Sequence, residues 1–141
     1  MKKLINTAFV YVIAGALGGV FFREFTKFNG FTGKTALSYV HPHLIGLGSL
    51  VFLLLALFAN MKDFTGDKKF RHFYLVYNIG LAGMNVMFLV RGILDVTGGE
   101  LSGAVNASVS GVAGIFHICM FAGLYRLVSL LKQNFAGQSA K

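Results

Sequence analysis

Residues 37–58 read LSYVHPHLIGLGSLVFLLLALF, a run without a single Asp, Glu, Lys or Arg. Wound as an α-helix, it would be about 33 Å long at 1.5 Å per residue. That crosses the roughly 30 Å hydrocarbon core of a bilayer. Three comparable stretches accompany it, Leu4–Phe22, Phe73–Val90 and Ala104–Leu131. Each approaches or exceeds the length a span requires. The chain, residues 1–141, is therefore expected to be one all-α domain: an integral membrane four-helix bundle, up-down-up-down, with links of roughly 12–15 residues.

Composition agrees. The chain is 55% hydrophobic and 13% charged, with a mean hydropathy of +0.68. Soluble domains carry about a quarter charged residues. The first span follows Lys2 and Lys3 and so resembles a signal peptide, but its apolar run is span-length and it is read as retained. Cys119 is the lone cysteine, so no intramolecular disulfide can form.

The net charge of +8 is not a nucleic-acid signal, because the cations cluster at span ends. Lys2, Lys3, Lys62, Lys68, Lys69, Arg71, Arg126, Lys132 and Lys141 fall on one side of a four-span topology. Arg23, Lys27, Lys34 and Arg91 fall on the other. Nine against four places both termini in the cytoplasm by the positive-inside bias. Small residues at four-residue spacing suggest close helix packing and a possible homo-oligomer. These are Gly15 and Gly19, Ala14 and Gly18 in span one, and Gly103, Ala107 and Gly111, Ser110 and Gly114 in span four. The polar tail Gln133–Lys141 is expected to fray.

Ionisable and strongly polar groups inside a membrane need a partner or a function. His41-Pro42-His43 opens span two. Residues two apart on a regular helix point about 200° apart, so these imidazoles should not share one ligand. Proline favours a first helical turn. A helix starting at Pro42 leaves His41 near the headgroups and makes His43 the better membrane ligand. In span four, Asn106, Ser110, Gly114 and His117 share a face. In span three, Tyr74, Asn78 and Asn85 do. Arg23 and Arg91 end spans one and three, where they snorkel or clamp anions.

Imidazoles on two spans, small residues between them and arginines above match what haem needs. The leading expectation is a haem-binding membrane protein, acting in electron transfer, haem handling or gas sensing. Non-covalent b-type haem iron would be ligated by His43 and His117, with His41 as a second ligand or partner. Arg23 and Arg91 would meet the propionates, and Asn78, Asn85 and Ser110 would line the pocket. Copper or zinc is the alternative cofactor, since neutral imidazoles suit both. A small metal-ion or solute transporter or channel, and a structural subunit of a larger membrane complex, are the competing functions. Enzymatic chemistry is not expected. No nucleophile–base pair is evident, and Glu24, Asp63, Asp67, Asp95 and Glu100 fall in loops or at helix ends.

Three segments carry a resemblance: Phe22-Arg23-Glu24-Phe25-Thr26, His41-Pro42-His43-Leu44 and Ser110–His117. Together they resemble a small family of bacterial four-helix membrane proteins catalogued as a domain of unknown function. The resemblance spans nearly the whole chain and implies a bacterial inner-membrane location, but no activity. Its pattern usually has Thr between the histidines, where this chain has Pro42. The His-x-His pair is also faintly similar to the haem–copper oxidase catalytic subunit, whose paired histidines ligate two haems from opposite faces. This chain lacks the histidines of a copper centre, so oxidase activity is not expected.

Overall fold

The computed structural model describes residues 1–99 and 101–136; Glu100 and most of the expected fraying tail, residues 137–141, lie outside the described residues. Four helices are long and apolar enough to cross a membrane: α1 (Lys2–Phe28), α2 (Ala36–Met61), α3 (Lys68–Thr97) and α4 (Gly103–Phe135). They form an all-α four-helix bundle. Each apolar run lies inside a longer helix, because hydropathy marks the segment that matches hydrocarbon while the helix continues into polar residues. The links are correspondingly shorter than expected, at 29–35, 62–67 and between Thr97 and Gly103. Gly98 closes α3 in the left-handed conformation at φ 67°, which suits glycine at a helix C-terminus.

The helices pack in chain order, α1 on α2, α2 on α3 and α3 on α4. The α3–α4 crossing is close because glycines face backbone. A Cβ on Gly80 would lie 2.8 Å from the Met120 Cα, and one on Gly123 would lie 2.9 Å from the Tyr77 Cα. In α1, Gly15, Gly18 and Gly19 face Ile45, Val40 and His41 of α2. The small residues of α4 behave differently: Gly103, Gly111 and Gly114 face open space. Of the most apolar eighteen residues in each helix, 39% are buried in α2 and 11% in α4. α4 is therefore a flank of the bundle with most of its surface outward.

α2 is irregular. It opens with a 3-10 turn, Ala36–Tyr39, started by Thr35, whose hydroxyl accepts from the Leu37 N–H. An α turn, Val40–His43, leads into a π-helical stretch, Leu44–Leu50, before regular α-helix resumes at Val51–Met61. Proline has no N–H to give the carbonyl four residues back, and Gly46 and Gly48 add no side chain that resists widening. The loosened turn is used: the Tyr77 hydroxyl donates to the Leu47 carbonyl at 2.6 Å.

Aromatic packing fills the half of the bundle nearest the chain termini. Phe52 stacks on Tyr11 at 5.9 Å and meets Phe73, Tyr74 and Tyr77 edge-on or tilted. Phe64 and Phe70 extend the cluster, and Phe135 caps it. Leucine, isoleucine and valine side chains such as Leu54, Leu57, Ile79, Val86, Ile115 and Ile118 point outward. In lipid such exposure costs little, so close packing and internal hydrogen bonds hold the helices together.

Candidate functional site

The two histidines of the pair diverge. His41 turns to α1, where its Nδ1–H donates to the Gly15 carbonyl at 2.9 Å. His43 turns to α3, and its Nδ1–H donates to the Tyr39 carbonyl one turn earlier at 2.7 Å. The helix begins at Ala36, not Pro42, so His41 lies inside α2, where it ties that helix to α1, and not ahead of its first turn.

His43 and His117 meet through a third residue. Phe88 of α3 packs edge-on against both imidazoles, with ring centroids at 4.9 Å from His43 and 5.7 Å from His117. His117 also donates from Nδ1 to a carbonyl of its own helix, Ala113, at 2.9 Å. A carbonyl can only accept, so both rings carry their proton on Nδ1 when neutral and keep Nε2 as a free acceptor.

Above Phe88, a cleft of about 330 Å³ opens between the start of α2, α3 and α4, walled by Tyr39, Phe88, Arg91, Ser110 and His117. It reaches His117 but not His43. Arg91 crosses from α3 to α4, donating from Nη1 to Asn106 Oδ1 and from Nη2 to Ser110 Oγ, the latter at 3.0 Å. These acceptors are neutral, so they aim the guanidinium without neutralising it. A second hollow, of about 340 Å³, continues from Arg91 past Asp95 and Asn106. The polar stripe of α4 is thus legible as a face that receives Arg91. Phe88 and Tyr39, which shape the cleft, carried no such signal, being ordinary aromatic residues in apolar runs.

The expected haem, copper or zinc site is overturned. Among the described residues, no group of three or more His, Cys, Asp or Glu could hold a metal ion. A porphyrin plane between His43 and His117 would have to take the space of the Phe88 ring. Arg23 is far from this arrangement in the packing order: it lies on α1, mostly exposed, beside Glu24 at 3.7 Å. It forms no second propionate clamp with Arg91. The expected likeness of the His-x-His pair to the oxidase subunit is not supported: the two imidazoles diverge, and among the described residues no cluster for a metal centre is found.

Nor do the asparagines join the cleft. Asn78 faces α1 and accepts from the Tyr11 hydroxyl at 2.7 Å, while its amide donates to the Tyr74 carbonyl. Thr7 and Tyr74 share a second α1–α3 hydrogen bond at 2.7 Å, and Lys3 sits 3.9 Å over the Tyr74 ring. Asn85, two turns from Asn78 on the same face, donates to the Leu81 carbonyl at 2.8 Å. Its Oδ1 is buried without a partner. The α3 polar stripe thus bonds across to α1 at Tyr74 and Asn78, where it meets the aromatic cluster, and only within its own helix at Asn85.

Four apolar helices packed in chain order, with polar groups turned inward, define a multi-pass α-helical membrane protein. The chain belongs to the family described as "Protein of unknown function (DUF2871)", whose model matches residues 1–134. No curated protein and no solved structure matches it.

Proposed function

We propose that this protein binds a small solute with an anionic head, as a receptor or carrier, in the cleft between α2, α3 and α4. The observation that carries the reading is Arg91, held by Asn106 and Ser110 at the rim of a cavity that also presents His117. An arginine at the end of a membrane helix, aimed by neutral acceptors, retains its charge and several N–H donors for a carboxylate or phosphate. The Phe88 and Tyr39 rings offer an apolar wall for the body of the ligand. The volume falls at the small end of ligand sites, which run about 300–1,000 Å³. Binding is favoured over a channel because Tyr74 and Asn78 of one stripe, and Asn106 and Ser110 of the other, are tied between helices.

Thermal unfolding of the detergent-purified protein, against a panel of small carboxylates and phosphates and their uncharged isosteres, tests the reading. A ligand at 100 times its Kd stabilises by about 2.7 kcal/mol. Acids should raise Tm selectively, and Arg91→Gln should abolish the effect. A panel in which no acid outperforms its isostere contradicts the proposal.

A second reading is favoured by α4. Gly103, Ala107 and Gly111 recur every fourth residue, and both glycines face open space. Such a stripe suits a close helix–helix contact, which supports membership in an oligomer or a larger membrane complex. Gly111→Leu would then lower the assembly size seen by light scattering without unfolding the chain.

A further inference from the structure

A second groove lies on the α1 side of α3, remote from Arg91. It measures about 550 Å³, is floored by Val40 and Leu44 of α2, and runs between Ala14 and Gly18 of α1 and Asn85 and Leu89 of α3. Its lining is apolar apart from Tyr11, whose hydroxyl is given to Asn78, and Asn85. Asn85 is 4% exposed, and its Oδ1 has no hydrogen-bond partner. The amide cannot be reversed to remedy this, because the Leu81 carbonyl requires a donor and so fixes Nδ2 toward it. An orphaned acceptor at this depth is costly, since hydrocarbon offers no donor.

The same face of the same helix shows what is missing. Asn78, seven residues earlier, makes the same bond to the carbonyl four residues back, and its Oδ1 is satisfied by the Tyr11 hydroxyl. Seven residues beyond Tyr11 on α1 stands Gly18, which has no side chain and borders the groove. Where α1 supplies a hydroxyl on an aromatic ring at Asn78, it leaves a groove beside Asn85, whose Oδ1 is closed to a water-sized group and is reached only when the groove wall gives way.

We propose that this groove binds an apolar, membrane-dissolved small molecule bearing a hydroxyl group, which donates to Asn85 Oδ1 as Tyr11 donates to Asn78. Lipid acyl chains fill such a groove but carry no donor. Asn85 lies six residues inside Arg91, which ends the apolar run of α3, about 9 Å along the axis and on the hydrocarbon side of that guanidinium. The size lies within the range of small-molecule sites. This site is independent of the Arg91 cleft.

The test uses 4-octylphenol, with octylbenzene as the probe lacking a donor. Both are titrated calorimetrically into the full chain in nanodiscs, with protein-free discs subtracted. One hydrogen bond to a buried acceptor predicts a roughly tenfold preference for the phenol. Asn85→Leu should keep octylbenzene binding and lose the preference. Ala82→Phe, at an exposed position on the groove wall, should lose both. In the unaltered protein, the Asn85 side-chain amide resonance should shift with octylphenol and not with octylbenzene, a readout that needs no variant. Equal binding of the two probes, or a preference that survives Asn85→Leu, overturns the proposal. So does self-association that disappears in Asn85→Leu, since a second copy would then be the donor. An Asn85 amide that ignores the phenol overturns it too, leaving water as the partner.

Discussion

Replacing Gly80 by alanine should loosen the α3–α4 crossing. The added Cβ would stand 2.8 Å from the Met120 Cα, against 3.4–4 Å for ordinary contact. Because the obstacle is backbone, with the Met120 N closer still, and no rotamer can relieve it, the helices must part locally by more than about 0.6 Å, the difference between 2.8 and 3.4 Å. A gap of 0.5–1 Å forfeits roughly a quarter to a half of each dispersion contact it opens. In a bilayer such packing is much of what joins the helices. Overpacking typically costs about 1–3 kcal/mol, and the upper half of that range is expected here. The control is Gly111→Ala, where the new Cβ meets nothing within 4 Å. There alanine should be neutral or help by up to about 1 kcal/mol through helix propensity. Unfolding in mixed micelles by SDS titration, followed by circular dichroism, measures both. Opposite signs are predicted. A Gly80→Ala protein as stable as Gly111→Ala would refute the α3–α4 geometry. A destabilised Gly111→Ala would instead point to a partner helix on the α4 stripe.

Tyr11→Phe should destabilise by roughly 0.5–2 kcal/mol, because it strands Asn78 Oδ1 inside the bundle. The same unfolding assay in a double-mutant cycle with Asn78→Leu should give a clear coupling energy, and strict additivity would contradict the bond. The Asp63 carboxyl, held by the Thr65 hydroxyl and N–H, should titrate below its ordinary value of 3.8. Its contribution is therefore present above the ordinary carboxylate range and lost as pH falls through the depressed value. Carbon NMR of Asp63 should show that low midpoint, and Thr65→Val should raise it. The proposed orientation, with both termini cytoplasmic, predicts that reporter fusions at either terminus read inside and that one in the α1–α2 link reads outside.

Much of the fold is legible because hydrocarbon imposes a length and polarity rule on every span. The helix ends are not. Arg23, Glu24 and Lys27 are polar yet helical, since a helix need not stop where the bilayer does. The divergence of His41 and His43 follows from helical period alone, while the placement of the helix start before Pro42 depends on the Thr35 cap. The Arg91 cleft is half legible. The stripe Asn106, Ser110, Gly114 and His117 reads as a polar face from its spacing, but nothing in the spacing says that α3 supplies its cation. The expected haem site failed for a related reason: periodicity shows which residues share a face, and cannot show that Phe88 occupies the space between two faces. The places where α3 meets a neighbour's backbone likewise occur at Gly80, Gly92 and Gly123, which sit outside any small-residue repeat, because a crossing point is set by two helices together.

The central claim is that Arg91 makes the α2–α3–α4 cleft a site for anionic solutes. Calorimetric titration of the purified protein with benzoate and with benzamide, its uncharged counterpart, tests it directly. A charge-assisted pair is worth about 1.5–3 kcal/mol, so benzoate should bind roughly 10- to 150-fold better than the amide. Arg91→Gln should erase that difference. Benzoate and benzamide binding alike, or a preference for benzoate that persists in Arg91→Gln, would contradict the account.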